Sequence, residues 1–297
     1  MSALEIIAGD AEGRDDGQAA FCVLQPPAHV PPVPVVFASP HSGRVYPSSL
    51  MAASHLGAED IRRSEDAFMD DLVACAPEHG IPLIAACFAR AWLDLNREPW
   101  ELDPGMFEDE LPAFARARTA RVAAGLGAIA RVVCEGLEIY RRKLTFAEAA
   151  SRVESVHRPY HEALAALLAR TRQAHGLAVL IDWHSMPSAA ASQAVGGCDI
   201  VLGDRFGAAA SPAVARRVER ELKALGYSVT RNAPYAGGYT TETYGRPARQ
   251  VHALQIEVNR ALYLDEAALE PSDGYLRLKA DLERLTIALA AVDWSNP

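Results

Sequence analysis

The sequence predicts a single α/β domain with a mainly parallel or mixed central sheet flanked by helices. Short unbroken apolar runs, at 33–38, 81–88 and 178–181, are typical of strands buried on both faces. Helical patterns alternate with such runs along the chain, as they do in β-α-β units. Hydrophobic residues make up 50% of the 297 positions, which is enough for a substantial core.

The charge balance argues against one class of partner. The formal net charge is −9 at pH 7, whereas a nucleic-acid-binding domain normally carries a basic face. The sequence therefore predicts no nucleic-acid partner, and it leaves room for a local basic pocket that takes a small anion. Only three of the 29 basic residues are lysines, so a single arginine among the 26 carries little information by itself.

The cysteines and the apolar runs bear on the cellular compartment and on membrane association. The five cysteines are scattered and show no CxxC spacing, so we predict free thiols in a reducing cytoplasm. The first residues lack the pattern of a signal peptide, and no run approaches the ~18 apolar residues of a membrane span. We expect a cytoplasmic protein without membrane association, and the sequence gives no indication of an oligomeric state.

The first third of the chain begins with a polar stretch and then shows strand and helix patterns. Residues 1–32 are acidic and then proline-rich, and we interpret them as a surface lead-in to one domain over residues 33–297. A strand at 33–38 ends in the turn that carries His41. Apolar spacing predicts a helix over 57–79, which contains Glu65 and Asp66, and a strand follows at 81–88.

The middle of the chain has an irregular stretch and then two predicted helices. Residues 99–131 contain prolines and glycines, and helices are predicted at 144–156 and 159–175. His157 and His161 stand four residues apart, which is one spacing for a metal pair. Pro159 favours a helix start that would leave His157 outside the helix, so we predict structural roles for both histidines.

The last third again alternates between strands and helices. The central strand, which begins at Ala178, runs towards Asp182 and His184 and is stopped by Pro187. The further predicted elements are a strand at 199–203, a helix at 212–225, a strand at 227–231, a strand at 251–258 and a helix at 274–292. Between them, residues 232–241 form a loop rich in glycine, aromatics and hydroxyls. Such a loop can close over a ligand, and from it we predict that Tyr235 and Thr240 contact substrate.

Four polar clusters stand at predicted strand ends, namely PHSG at 40–43, DLNR at 94–97, DWHS at 182–185 and EVNR at 257–260. Ligands of α/β sheets bind beyond the carboxyl ends of strands, so the clusters are expected to converge. Neutral imidazoles with one carboxylate leave an open zinc position, and a glutamate supplies a base, which favours a metal-assisted hydrolase. Serine catalysis is the rival chemistry, but the sequence contains no GxSxG elbow.

Two Asn-Arg pairs in these clusters suggest an anionic substrate. Asn96 with Arg97, and Asn259 with Arg260, each offer an amide beside a planar guanidinium, which suits a carboxylate. A substrate with two carboxylates would match the two pairs. Which pair binds which carboxylate stays open at this point.

Several motifs in one order resemble the N-formylglutamate amidohydrolase family, from Pro34 to about Glu266. They are PHSG, DLNREPWELDP, IDWHSMPS, DIVLGDRFG, RNAPYAGGYTTETYGRP and HALQIEVNRALYLDE. The resemblance implies a fold similar to that of zinc-dependent carboxypeptidases. It also implies hydrolysis of N-formyl-L-glutamate to formate and glutamate, a late step of histidine breakdown.

The resemblance also implies roles for individual residues. His41 and His184 would bind one zinc ion, and Glu257 would be the general base. The third ligand would come from Glu65 or Asp66, and we predict Asp66. The chain departs from the HxxE spacing of the peptidases, because Arg44 stands three residues after His41.

Two alternatives to this function remain. One is a related amidohydrolase for another N-acyl amino acid, which the loop at 232–246 would decide. The other is a ligand-binding member of the fold without catalysis, which the complete set of His41, His184 and Glu257 disfavours.

Overall fold

The computed structural model describes residues 6–8, 18–134, 136–192 and 197–297. The strands in these residues are β1 (Ile6–Ala8), β2 (Phe21–Leu24), β3 (Val35–Ser39), β4 (Leu83–Ala86), β5 (Val132–Cys134), β6 (Leu137–Glu138), β7 (Ala178–Met186), β8 (Ile200–Gly203), β9 (Val229–Arg231), β10 (Val251–Asn259), β11 (Leu264–Asp265) and β12 (Glu270–Pro271). Strand β5 pairs with β6 and β11 with β12 in two small sheets. The other strands form the central sheet.

The helices are α1 (Ser48–Ala53), α2 (Met69–Leu72), α3 (Ala120–Ala123), α4 (Phe146–Arg152), α5 (Arg158–His175), α6 (Ser188–Ala191), α7 (Pro212–Ala224), α8 (Tyr239–Tyr244) and α9 (Tyr275–Ala290). Short 3-10 turns span Asp60–Ser64, Ala76–His79, Pro104–Met106, Pro247–Arg249 and Arg260–Leu262. None of the helices in the described part of the chain is both long and apolar enough to cross a bilayer.

The central sheet has the order β1-β2-β4-β3-β7-β10-β8-β9. Its inner strands β4, β3, β7 and β10 are parallel, β2 and β8 run antiparallel to them, and β9 is parallel to β8. The predicted fold class, a single α/β domain with a mainly parallel or mixed sheet flanked by helices, is confirmed.

The inner strands are buried on both faces because helices cover both sides of the sheet. Successive residues of a strand point to opposite faces. Val179 and Ile181 of β7 therefore join one core with the apolar faces of α7 and α9, while Ala178 and Leu180 join a second core with α5. This sandwich leaves the carboxyl ends of β3, β7 and β10 as the accessible edge.

The register between β7 and β10 determines which polar residues share that edge. His184 lies opposite Glu257, and Asp182 lies opposite Gln255. Neighbouring positions of parallel strands share a face, so these four side chains project to the same side of the sheet.

The structure corrects the prediction of a surface lead-in over 1–32. Strand β2 pairs antiparallel with β4, and its residues Phe21 and Val23 are buried in the core. Strand β2 has only four residues, its buried and partly buried side chains alternate, and prolines follow it closely. These features hid the strand in the sequence pattern. Strand β1 extends the sheet beside it, while positions 1–5 and 9–17 lie outside the described residues.

The predicted helix over 57–79 is also wrong. The segment folds as a 3-10 turn, the short helix α2 and a second 3-10 turn. Glu65 adopts an extended conformation, and Phe68 has a left-handed φ of 61°, so the helix is interrupted between them. The backbone N–H of Asp66 donates instead to the carbonyl of His41, at 3.0 Å. The interruption therefore places Asp66 beside the turn that follows β3.

Two local predictions need further correction. His157 does not lie outside a helix, because α4 and α5 are joined by a π-helical turn over Val153–His157. Residues 232–241 are not loop throughout, because α8 begins at Tyr239.

Candidate active site and metal centre

Four predicted residues meet at the carboxyl edge of the sheet. His41 follows β3, His184 lies two residues before the end of β7, Glu257 lies two residues before the end of β10, and Asp66 comes from the interrupted segment. Each is at most 7% exposed. We refer to these four residues as the sheet-edge cluster. Buried ionisable groups need a partner or a ligand, because leaving them unpaired in a low-dielectric site is costly.

Three side-chain atoms of the cluster face one another. The Nδ1 atoms of His41 and His184 are 3.0 Å apart, and the Oδ2 atom of Asp66 lies 3.3 Å and 3.1 Å from them. Tetrahedral ligands about 2.0–2.1 Å from a zinc ion lie roughly 3.3 Å from one another. Neutral imidazoles and an ionised carboxylate would direct three lone pairs at one another here, an arrangement that a proton or a metal cation among them stabilises. The group therefore fits a metal ion in both spacing and donor chemistry.

His41 is held by a carboxylate and by close backbone packing. Its Nε2–H donates to Oδ1 of Asp94 at 2.7 Å, which leaves the lone pair of Nδ1 directed at the other two atoms. Metal-binding histidines commonly donate their second nitrogen to a carboxylate in this way. Gly43 follows in the same turn, where a Cβ atom would lie 2.1 Å from the carbonyl oxygen of Phe88. Only glycine lets the turn approach that strand end.

His184 has a similar carboxylate neighbour. Its Nε2 atom lies 3.0 Å from Oδ2 of Asp182, and the amide of Asn96 lies 3.3 Å from the same nitrogen. Burial lowers the pKa of His184, but Asp182 and Asp66 outweigh burial and hold the pKa well above its usual value. Positive charge is thus favoured at this point of the site.

Asp66 is oriented by Ser185 and Arg260. The hydroxyl of Ser185 and the guanidinium of Arg260 both donate to its Oδ1, at 3.2 Å and 3.1 Å, which leaves Oδ2 for the histidines. Burial would raise the pKa of Asp66, yet the two imidazoles hold it well below its usual value. The carboxylate is ionised, as a metal ligand must be.

Arg260 has a structural role in addition to the predicted one. Besides Asp66, its guanidinium donates to Ser185 Oγ, to the carbonyl of Arg63 and to the carbonyl of Glu65, so all three of its nitrogens are engaged. Arg260 thereby positions Asp66. It also lines the cavity, and its contact with a substrate carboxylate stays a prediction.

Glu257 lies next to the three facing atoms, and its environment makes it a stronger base. Its Oε1 accepts a hydrogen bond from the Gln255 amide at 2.7 Å. Burial raises the pKa of Glu257, and the positive charges around it, led by His184, oppose this only in part. A glutamate with a raised pKa is suited to taking and returning a proton near neutral pH.

The sheet-edge cluster lines a cavity of about 690 Å³. Its charged lining is dominated by arginines, with three carboxylates (Asp66, Asp94 and Glu257) against Arg63, Arg90, Arg97, Arg121 and Arg260. We refer to Arg97 and Arg121 as the arginine wall. The cavity is large enough for a small amino-acid derivative, and its charge favours an anion.

Arg90 also lines the cavity, and the sequence pattern did not reveal it. Its Nε donates to Oδ2 of Asp94 at 2.9 Å. Among the described residues neither terminal nitrogen of Arg90 has a partner. The negative charges of Asp94, Asp66 and Glu257 oppose the effect of burial and raise the pKa of Arg90.

The remaining predicted residues divide into two groups. Asn96, Arg97 and Tyr235 line the cavity, whereas among the described residues Thr240 and Asn259 do not belong to the lining. Thr240 is fully buried, and its backbone N–H donates to Oδ1 of Asn96 at 2.8 Å. Asn259 uses its side chain on the Cys198 carbonyl and the Ala261 N–H. The predicted substrate contacts of Thr240 and Asn259 are therefore corrected to structural contacts.

Asn96 fixes the loop that carries Tyr235. Its amide joins the Thr240 N–H to the side chain of Gln255, which is 3.3 Å away. Gly238 packs directly on this amide, where a Cβ atom would lie 2.3 Å from Nδ2. Tyr235, 36% exposed, is thereby held over the cavity.

Fold and site together define an α/β protein with a buried cation-binding group and an arginine-lined cavity beyond the carboxyl edge of its sheet. A family model described as N-formylglutamate amidohydrolase matches residues 33–264, which is more than half of the chain. The chain belongs to this family.

Relatives and solved structures agree with the assignment. An N-formylglutamate deformylase of Pseudomonas aeruginosa is 32% identical over 243 residues, covering 80% of this chain and 84% of that protein. A crystal structure of N-formylglutamate amidohydrolase from Ralstonia eutropha JMP134 is similar with a TM-score of 0.84 and 36% identity, covering 91% of this chain and 97% of that one. A gene product of Agrobacterium tumefaciens shares the fold at a TM-score of 0.58 and 18% identity, over 87% of this chain and 91% of that chain.

Proposed function

We propose that the protein is a zinc-dependent amidohydrolase that converts N-formyl-L-glutamate and water to formate and L-glutamate. The observation that carries the proposal is the convergence of His41, His184 and Asp66 beside Glu257, in a cavity rich in arginine. Membership of the family supports the substrate, as do the names of its relatives.

Zinc is supported by the donor set. Two imidazole nitrogens and one carboxylate oxygen, with a position open to the cavity, are the ligands of many catalytic zinc sites. Bound zinc supplies Lewis acidity, which lowers the pKa of water at the site and polarises a carbonyl oxygen. His41, Asp66 and His184 would hold the ion. Asp94 and Asp182 would fix the orientation of the two imidazoles.

Glu257 moves the proton in the proposed reaction. Its carboxylate takes a proton from the water that attacks the formyl carbon. It then gives this proton to the amide nitrogen as the carbon–nitrogen bond breaks. The raised pKa of Glu257 suits both transfers, because base and acid strength are balanced near neutral pH.

Arg90 and the arginine wall contribute through their positive charges. The terminal nitrogens of Arg90, which have no partner among the described residues, would donate to the oxygen that gains negative charge during attack. The wall attracts the carboxylates of the substrate and orients the formyl group towards Glu257. Tyr235 lines the cavity, and burial, together with the negative charge of Glu257, raises its pKa.

The test is formate release from a panel of N-acyl amino acids, with and without a chelator. N-formylglutamate should be the preferred substrate, ahead of N-formylaspartate and N-acetylglutamate. Chelation should abolish release, and added zinc should restore it. Activity that survives complete removal of metal contradicts the metal-dependent mechanism. Preference for another N-acyl amino acid moves the assignment to a related amidohydrolase, and lack of turnover throughout the panel favours a non-catalytic ligand-binding protein.

The proposal also assigns the reaction to a pathway, histidine degradation, and to a compartment, the cytoplasm. The family supports the pathway. The five free cysteines suit a reducing compartment. Deleting the gene should block growth of the source organism when histidine is the sole carbon source, because the glutamate skeleton is released only by this hydrolysis, and normal growth would contradict this part of the proposal.

A further inference from the structure

Arg121 lines the cavity and also a second one of about 430 Å³ that Glu101 lines too, and its guanidinium makes few contacts with the protein. It belongs to α3, which starts after the capping residue Thr119. Its side chain is 36% exposed, and its ion pair in the described residues is with Glu101, whose Oε2 lies 3.8 Å from Nη1. Among the described residues no hydrogen bond engages its Nε or Nη2. Arg260, by contrast, has every nitrogen engaged.

The backbone around Arg121 is nevertheless held firmly against the DLNR segment. Arg97 donates from Nε to the carbonyl of Leu126 at 2.9 Å, and Leu126 N–H donates to the carbonyl of Arg121 at 2.8 Å. Ala128 joins the same segment to Asp94 and to Glu101 through backbone hydrogen bonds. The position of Arg121 is therefore linked, through Leu126 and Arg97, to the residues that hold the sheet-edge cluster.

The positive charge of the wall is only partly compensated, because the nearest carboxylates, Asp94 and Glu101, each lie 3.8 Å from an arginine nitrogen. Burial lowers the pKa of Arg97, and the nearby charges of Arg90 and Arg121 lower it further, while Asp94 acts in the opposite direction. Like charges at one end of a cavity repel one another unless an anion joins them. A carboxylate bound between Arg97 and Arg121 would relieve this repulsion and would accept the donors that the protein leaves free.

The distance of Arg121 from the sheet-edge cluster, counted in successive contacts, indicates which substrate carboxylate it would bind. Asp94 holds His41 and lies 3.8 Å from Arg97, so Arg97 is adjacent to the metal-binding atoms. Arg121 is one step further along this chain of contacts. In an N-acylglutamate the side-chain carboxylate is two methylene groups further from the acyl nitrogen than the α-carboxylate.

We propose that Arg121 determines specificity by binding the side-chain carboxylate of the substrate, with Arg97 serving the α-carboxylate. The inference rests on the proposed function and adds the residue that selects an acidic side chain. The occupant is a carboxylate at the end of a short methylene chain. Arg63 is a poorer choice, because its Nε is paired with Asp60 in an exposed ion pair.

The experiment compares Arg121→Met with Arg118→Met on two substrates. Arg118 is an exposed arginine of the same segment and is not part of the described cavity lining. N-formylglutamate and N-formylglutamine differ in side-chain charge and hardly in shape. Arg121→Met should raise KM for N-formylglutamate about 30-fold with little change in kcat, the low end of the range for truncating one partner of a desolvated charge pair. It should leave both constants for N-formylglutamine unchanged.

Two further variants keep the test decisive. Arg121→Lys should recover part of the preference for N-formylglutamate, because it keeps the charge but loses the planar pair of donors. Adding Arg121→Met to Glu257→Gln, which binds without turnover, should weaken calorimetric binding of N-formylglutamate by a similar factor. Equal losses on both substrates, or an unchanged preference, would overturn the inference. Failure of the wild type to release formate from N-formylglutamate would instead overturn the proposed function.

Discussion

The two ends of the cavity are built on different kinds of structure. His41, His184 and Glu257 of the sheet-edge cluster stand at the ends of neighbouring parallel strands, and each is nearly inaccessible to solvent. The arginine wall stands on irregular chain and on the short helix α3, and Arg121 is 36% exposed. In the proposed function the sheet holds the residues assigned to metal binding and proton transfer, whereas irregular chain and a short helix carry the arginines assigned to the substrate.

This difference has a physical basis. Reacting groups have to be held closely, and paired strands flanked by two cores supply that rigidity. Substrate side chains vary among N-acyl amino acids, and loops tolerate substitution better than core strands do. Substitutions at the sheet edge should therefore abolish metal binding or turnover, while substitutions in the wall should change the preference among substrates. The predictions below are arranged to test this division.

The largest effect is expected for His184→Ala. One of three facing donors is lost, so the protein should contain little zinc and should release almost no formate. Elemental analysis and the formate assay measure the two quantities. The matched control is His55→Ala at an exposed position, which should leave both unchanged. Full zinc content in His184→Ala would remove this residue from the metal site.

The next largest effect is expected for Glu257→Gln. The amide cannot take a proton from water, so kcat should fall by at least ~10²-fold, the usual contribution of a positioned base. Zinc content and calorimetric binding of N-formylglutamate should be retained. Loss of zinc in this variant would show that Glu257 is a ligand and not the base, and near-normal turnover would exclude it from the mechanism.

Arg260→Met and Arg97→Met test whether the two ends are separate. Arg260 orients Asp66, so its loss should weaken zinc affinity by ~10–100-fold, as removal of a residue supporting a metal ligand does. Arg97→Met should instead raise KM for N-formylglutamate with little effect on zinc affinity. Chelator competition and steady-state kinetics separate the two outcomes. If Arg260→Met raised KM and left zinc affinity intact, Arg260 would belong with the substrate-binding residues.

The sheet-edge cluster could be predicted from sequence because local patterns place it. Unbroken apolar runs identify β3, β7 and β10, and a polar residue that follows such a run has to lie at the strand end. His41 and His184 are found by this rule. Asp66 was harder to predict, because the apolar spacing over 57–79 predicts a helix. In the structure that helix is interrupted, and the backbone N–H of Asp66 donates a hydrogen bond to the carbonyl of His41, a residue distant in sequence.

Arg97 of the arginine wall was predicted from its place in the DLNR cluster, but Arg121 and the cavity residue Arg90 could not be predicted in the same way. Arg90 and Arg121 carry no local signal in a chain with 26 arginines, and their placement depends on contacts across an irregular segment. Asn259 and Arg260 resemble the Asn96 and Arg97 pair in sequence, but only the fold shows that Asn259 caps a 3-10 turn and that Arg260 orients Asp66.

The smallest effect is expected at His157, whose side chain hydrogen-bonds to the backbone of Arg97 in the arginine wall. Its Nε2–H donates to the carbonyl of Arg97 at 2.9 Å, and the side chain is 3% exposed. Burial lowers the pKa of His157 to about 4, whereas an unfolded histidine titrates near ~6.5. The unfolded chain therefore binds the proton first as pH falls. The histidine should have no effect on stability above pH ~6.5 and should destabilise the fold increasingly between pH ~6.5 and ~4.

Linkage gives the size of this effect and its test. At pH 5 protonation of His157 in the unfolded chain should lower the free energy of unfolding by about 2 kcal/mol. His157→Gln keeps an N–H donor for the Arg97 carbonyl but does not titrate, so its urea-unfolding free energy should fall less than that of the wild type between pH 7 and pH 5. His29→Gln at an exposed position is the control and should follow the wild type. Parallel pH profiles for wild type and His157→Gln would show that His157 is not held neutral behind the wall.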